Sequence, residues 1–488
     1  MQTSLMKILA FLVSAVIFYT PAAQATNAQN LPEIGDSAGA VLSPEFERRV
    51  GQAVMRQVHQ DKTLIQDPEV ESYIQSIGFK LVANSDDNRL PFTFFMLKNP
   101  VINAFAAPGG VVGVNSGVIL NTDNESELAG VMAHEISHVT QRHMARTYEA
   151  ASKFSLPMMA AMIGAIALGI VNPGAGQAAM AIVSGAGTQY QINFTRENEE
   201  EADRIGMQLL ARSGFDPHGM PDFFQKLQQA TRYYGGGKVP EFLQTHPLTT
   251  SRIADSSARA DSYPKVEYKS SEGYKLVRAK IRADSFERPR EAVRFFEERL
   301  DTTGYPDNPT ARYGYVIALT NAGEYVRARE QLHLLLTQDK ENVAYLLAAA
   351  RLEVAQRNFS AAAGLYESAH KLYPDYRPLV LGYARALLDS DQPLQARNLL
   401  TDYGRRHEPD IAYYDLLSQA EAETGSPAEA GIAKAEYYYL SGDTKLAIDR
   451  LKFAQHQSSL DYYQEERVKA RLIELERELK LEKELEQQ

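Results

Sequence analysis

His134-Glu135-Ile136-Ser137-His138 decides how the first half of this 488-residue chain is read. The flanks favour a helix. Leu128, Val131 and Met132 form an apolar stripe that Val139 continues, and Thr122 with Glu125 makes a capping box ahead of it. Four residues along a helix is just over one turn, so His134 and His138 leave the same face. Two imidazoles at that spacing fill two corners of a tetrahedral zinc site. Glu135 then stands beside the metal without ligating it, where it takes a proton from an attacking water and returns it to a leaving amine. The plain alternative is an amphipathic helix with two surface histidines. Gly130 is a mild defect in this helix, small enough to admit a close neighbour.

A third ligand is needed. Gly at 141 and His at 144 would supply one, but the chain has Gln141 and Met144, which excludes the metzincin pattern. His143 is five residues past His138, about 140° round a continuous helix, and is expected to miss the site. A distant carboxylate gives a two-His, one-Glu site with a position open to water. The acidic stretch 196–203 offers candidates within a second helical pattern that runs through Ile205, Met207, Leu209 and Leu210. Solvated charge at a helix start is the plain reading of any one of them.

His134–His138 together with Arg196, Glu199, Ala202 and Asp203 resembles the HtpX-like and CAAX-prenyl-type zinc peptidases, over about residues 40–260. The resemblance implies one zinc ion per chain, with Glu199 as third ligand. It also implies a carboxylate, Asp203, that orients a ligand histidine from one turn further on. Glu197, Glu200 and Glu201 do not match the ligand position. Asn103-Ala104-Phe105 is similar to the family's edge strand beside the cleft. Thr245-His246-Pro247, followed by Ser251-Arg252-Ile253, also matches. Read plainly, it is a loop with Pro247 setting a turn before a helix. Read functionally, His246 approaches the zinc, as a fourth ligand or as a donor to a developing oxyanion, and Arg252 steadies substrate or the cleft wall.

The expected fold is an α+β, zincin-like (gluzincin) peptidase domain over 26–267. Helices at 44–59 and 68–84, short strands at 92–97, 102–107 and 111–114, and a helix over 124–146 make up its recognisable part. Ahead of it, Lys7, an apolar run over 8–19 and Ala23-Gln24-Ala25 read as a cleaved signal peptide, 1–25, and hence a periplasmic protein. The absence of Cys means that stability owes nothing to disulfides. A formal net charge of −11 argues against a nucleic-acid partner. The uncharged stretch 156–187 admits three readings: a buried helical hairpin, a lid, or an apolar surface that meets misfolded protein or makes peripheral membrane contact.

Residues 268–488 change character. Ala328, Ala362, Ala396 and Ala430 recur every 34 residues, as do Tyr325 and Phe359. That period predicts an all-α tetratricopeptide solenoid, a surface for binding protein. Gly425 and Gly442, 17 apart, suggest one irregular repeat, and the charged end, 464–488, suggests a solvent-facing capping helix. A peptidase core, a signal and such an array together resemble the family of beta-barrel assembly-enhancing proteases. The resemblance implies quality control of unfolded or misassembled outer-membrane proteins beside the barrel-assembly machinery, with a chaperone-like side. The alternative is a non-proteolytic chaperone or adaptor with a structural or silenced zinc site. Glu135 argues against it, since a structural site has no need of that carboxylate.

Overall fold

The computed structural model describes residues 44–87, 90–150, 188–233, 241–265, 267–302, 308–457 and 460–486. The expected signal segment, 1–25, and the apolar stretch 156–187 lie outside them. Helices α1 (Pro44–Gln60) and α2 (Pro68–Val82) precede a three-stranded sheet of β1 (Thr93–Leu97), β2 (Ala104–Ala107) and β3 (Val111–Asn115). Its order is β1-β3-β2, with β1 parallel and β2 antiparallel to β3, so β2 is an edge. The β2–β3 turn uses Gly109 and Gly110 at φ 81° and 79°. A Cβ on Gly110 would lie 1.8 Å from the Pro91 carbonyl oxygen, so only glycine fits there.

After α3 (Ser116–Asn121) comes α4 (Glu125–Thr140), which carries the histidine motif. Its cap lies two residues beyond the expected one. Asn124 accepts from the Glu127 amide at 3.0 Å, and Glu127 reaches back to the Asp123 amide, also at 3.0 Å. Thr122 is otherwise engaged, with its hydroxyl on the Ile119 carbonyl and the Tyr274 hydroxyl. Nor does the helix run on to 146. It stops at Thr140, Arg142 takes a left-handed φ of 52°, and α5 (His143–Ala150) starts in a new direction. Helices α6 (Thr188–Arg212) and α7 (Gly219–Tyr233) flank α4. Small residues set both approaches: a Cβ on Gly206 would lie 3.1 Å from the Ala133–His134 backbone, and one on Gly130 would lie 3.2 Å from Met220. Two short helices, α8 (Glu241–Thr245) and α9 (Thr250–Ala260), complete this part.

The remainder is helical: α10 (Glu272–Asp284), α11 (Pro289–Thr302), then α12 (Pro309–Asn321), α13 (Tyr325–Gln338), α14 (Val343–Ala355), α15 (Phe359–Leu372), α16 (Arg377–Asp389), α17 (Pro393–Gly404), α18 (Ile411–Glu423) and α19 (Pro427–Leu440). The first helices of successive pairs start at 309, 343, 377 and 411, and the second at 325, 359, 393 and 427, each 34 apart. Each first helix ends the same way. Gly323, Arg357, Asp391 and Gly425 take left-handed φ, and the next amide bonds back to the carbonyl five residues earlier. Ala328, Ala362 and Ala396 are fully buried, whereas Ala430 is only half-buried and Ala428, two residues earlier, is buried instead. The expected irregular repeat does not occur. The glycines at 425 and 442 mark consecutive helix ends, and α20 (Thr444–Gln455) and α21 (Tyr462–Glu486) continue the alternation. The last helix buries one face, through Val468, Leu472 and Leu475. No described helix is long and apolar enough to cross a membrane.

The peptidase part and the repeats share a helix. Tyr274, Val277 and Ile281 of α10 join the core around α4, while Leu276, Ala279 and Ala283 join the repeat core. Just before it, Tyr268 and Ser271 bond to the buried Glu125 carboxylate at 2.6 and 2.7 Å. The division expected at 267/268 therefore falls inside an interlocked segment. Charges fasten the same seam: Lys280 meets Asp67 at 2.6 Å, Arg377 meets Glu71 at 3.0 Å, and Arg351 pairs with Glu69.

Candidate active site

Helix α4 directs His134, Glu135 and His138 towards α6, which brings Glu199 and Asp203, one turn apart, against them. Glu199 is thus mid-helix rather than a helix-start charge. His246 arrives from the end of α8, its amide on the Phe242 carbonyl at 2.8 Å and its ring stacked on Phe242 at 4.8 Å. One ligand atom each from His134, His138, Glu199 and His246 lie within 4.8 Å of one another. The closer separations are His134 Nε2 to His138 Nε2 3.1 Å, to His246 Nδ1 3.3 Å and to Glu199 3.3 Å, with His246 Nδ1 to Glu199 3.0 Å and His138 Nε2 to Glu199 3.5 Å. A tetrahedral ion with bonds of about 2.0–2.1 Å requires donor atoms about 3.3–3.4 Å apart. The donor set fits one metal ion in chemistry, and five of its six separations lie near that spacing.

The electrostatics favour positive charge at this point. Burial alone would depress His134, but the Asp203 and Glu199 carboxylates override it and hold its pKa at about 10. Burial and the neighbouring His134 keep His138 well below the usual histidine range. Burial would raise Glu199, yet His246 and His134 hold it well below the carboxylate range.

Neighbouring charges hold these side chains. Asp203 Oδ1 lies 3.0 Å from His134 Nδ1, in ion-pair contact but without hydrogen-bond alignment, and Nε2 faces the cluster. Arg252 grips Asp203 with two prongs, at 2.7 and 2.8 Å, touches Glu199 at 3.0 Å, and donates to the Pro247 carbonyl at 2.8 Å. It is 3 % exposed, so it braces the ligands and the His246 loop from behind and does not serve as a wall for substrate. Among the other acids of the stretch, Glu197 and Glu200 are exposed, as is Arg196. Glu201 and His143 were both set aside in the sequence reading, yet they meet here. Because α5 turns back, His143 Nδ1 reaches 2.9 Å from His138 Nδ1 and His143 Nε2 lies 3.2 Å from Glu201. No glycine or proline marks the break at Arg142, so spacing gave no signal for it.

Glu135 is 1 % exposed, and its Oε1 has no hydrogen-bond partner. Burial raises its pKa, opposed by His246 and His134 and, to a smaller extent, by the Ala106 amide of β2. Glu135 and His246, 3.5 Å apart, both line a cleft of about 710 Å³, with Leu90, Phe105, Val139 and Met144 among its apolar walls. Edge strand β2 runs along this cleft.

Residues 68–260 match the family model described as Peptidase family M48, and residues 285–352 and 353–420 match Tetratricopeptide repeat. The chain is 37 % identical over 451 residues to the Beta-barrel assembly-enhancing protease of Escherichia coli, covering 92 % of each. It is 38 % identical over 447 residues to the same-named protein of Yersinia pestis, again covering 92 % of each. With the Mitochondrial metalloendopeptidase OMA1 of Schizosaccharomyces pombe it shares 28 % identity over 221 residues, 43 % of this chain and 60 % of that one. The motif helix, the donor cluster and these likenesses agree: this chain is a metalloprotease and belongs to the family of beta-barrel assembly-enhancing proteases, M48 peptidases followed by tetratricopeptide repeats.

Proposed function

We propose that the chain is a zinc-dependent endopeptidase of the periplasm that degrades unfolded or misassembled outer-membrane proteins, with its repeats docking on the barrel-assembly machinery. The observation that carries the catalytic part is a buried Glu135 carboxylate, one oxygen of which has no hydrogen bond and lies 3.5 Å from His246 Nε2, beside four clustered metal-ligand atoms. His134 Nε2, His138 Nε2 and Glu199 would hold the zinc, and His246 Nδ1 would occupy the fourth position at rest and yield it to the attacking water during catalysis. Bound there, the ion lowers the pKa of an attacking water and polarises the scissile carbonyl. Glu135 takes that water's proton and passes it to the leaving amine. Asp203 keeps His134 in the ligating tautomer. Edge strand β2 pairs with an extended substrate through its backbone, which gives affinity with little sequence preference and suits unfolded clients.

The names of the Escherichia coli and Yersinia pestis relatives support a role in barrel assembly, and the N-terminal segment supports export. Residues 26–267 act as the catalytic part and 268–488 as the docking part, with α10 common to both cores. A chaperone-like action on productive clients accompanies proteolysis. The other reading, a non-proteolytic chaperone or adaptor, gives Glu135 nothing to do. Cleavage of unfolded casein by purified protein, with and without chelator, separates the two. Chelator-sensitive cleavage restored by zinc is expected, and no cleavage by the zinc-loaded protein would favour the adaptor. Recovery of barrel-assembly components on the full chain, but not on a form lacking the repeats, tests the docking part.

A further inference from the structure

Two arms run from the ligand histidines to helix α6, and only one has a role so far. His134 Nδ1 faces Asp203, which Arg252 grips. His138 Nδ1 faces His143, whose far nitrogen faces Glu201, and Arg146 holds the same Glu201 oxygen at 2.7 Å. Each arm ends on a carboxylate of α6 that an arginine fixes. They differ in that an imidazole is inserted into the second.

Hydrogen-bond chemistry orders that arm in one way. If His138 ligates through Nε2, its Nδ1 carries the proton and must donate. His143 Nδ1, at 2.9 Å, is then the acceptor and bears no proton. Its proton lies on Nε2 and points at Glu201, 3.2 Å away, which can only accept. Every donor faces an acceptor, and no other arrangement of the neutral rings achieves this. The backbone is bent to make it possible. Arg142, a non-glycine residue at φ 52°, turns the chain so that His143 faces back onto α4. Its guanidinium is tied to Glu47 on α1 at 3.1 and 3.3 Å. His143 itself is 3 % exposed.

We propose that His143 is a positioning residue for the metal site: it accepts the His138 Nδ1 proton and relays that bond to Glu201, fixing the tautomer and ring plane in which His138 ligates. The proposal rests on the reading of His138 as a ligand. It predicts that the arm contributes to metal affinity by hydrogen bonding and not by filling space.

Four variants test this, each titrated in the metal-free form with Zn2+ against a chromogenic chelator. His143→Leu removes the acceptor and should weaken zinc binding roughly 10- to 100-fold, the usual effect of losing a partner behind a ligand. His143→Asn has nearly the shape of leucine but places an acceptor oxygen where Nδ1 was, and should recover most of the loss. Glu201→Gln lies at a partly exposed position that the fold tolerates, and should weaken binding by less than His143→Leu. Equal losses for leucine and asparagine would reduce His143 to packing and overturn the proposal, as would unchanged affinity in His143→Leu. His138→Ala is the control for the underlying reading. Full affinity there would remove His138 from the ligand set, whereas lost affinity there with an unaffected His143→Leu would sink the relay alone.

Discussion

Removing the guanidinium of Arg252 should unsettle the site more than removing any residue at the cleft mouth. Its side chain is 2 % exposed and lies against two carboxylates that are themselves 3 % and 4 % exposed. In Arg252→Ala, Asp203 loses both prongs, Glu199 loses a 3.0 Å contact, and the Pro247 carbonyl loses its donor. Stripping one partner from a buried ion pair costs about 3–5 kcal/mol, because the remaining charge stays buried without compensation. In a cooperative unit of this size each kcal/mol lowers Tm by about 2–4 °C, so the metal-free variant should melt roughly 6–20 °C lower. Arg252→Lys keeps the charge but cannot reproduce the two-pronged grip, and should fall between. Saturating zinc should shrink the deficit, since a cation beside Glu199 supplies part of the missing charge. Calorimetry of the three proteins with and without zinc reads all of this. A shift below about 2 °C for metal-free Arg252→Ala would refute the claim that Arg252 braces the ligands.

Other outcomes follow from the same geometry. Gly206→Val should cost about 1–3 kcal/mol and loosen zinc, because its side chain meets the Ala133–His134 backbone, which cannot yield; unchanged chelator competition would contradict the close α4–α6 contact. A chain ending at residue 267 should resist proteolysis far less than one ending at 284, because only the longer one keeps the Tyr268, Ser271 and Tyr274 contacts; equal resistance would show that the peptidase core closes without α10. His246→Ala, at matched zinc content, should cleave unfolded substrate faster if His246 only occupies the fourth position. A fall of roughly a hundred-fold would instead give it an oxyanion role, and unchanged kinetics would remove it from both.

The histidine pair was legible because its spacing is local: one turn of helix separates His134 from His138, so periodicity puts both on one face. Glu199 and Asp203 stood out from their acidic neighbours only through the family resemblance. The repeats were legible because the 34-residue period reappears in the helix starts themselves. What stayed hidden depends on tertiary choices. Thr122-Glu125 has the letters of a cap, but Tyr274, 152 residues later, takes the threonine hydroxyl. Arg142 adopts left-handed φ without glycine, so a continuous helix is the natural reading; His143 stays out of the donor cluster as expected, yet turns back onto His138. The destination of Arg252 depends on how α9 lies over α6. The two-faced burial of α10, with Tyr274, Val277 and Ile281 on one side and Leu276, Ala279 and Ala283 on the other, gave no hint of which domain owned it.

Holding the metal and moving the proton are separate tasks of neighbouring residues in this site. Metal content and casein cleavage of Glu135→Gln and Glu199→Ala, measured side by side with the parent protein, decide this most directly. Glu135→Gln should keep about one zinc per chain and lose cleavage, because it deletes the base and spares the ligands. Glu199→Ala should lose both. Zinc lost from Glu135→Gln while Glu199→Ala keeps its full content would contradict the assignment.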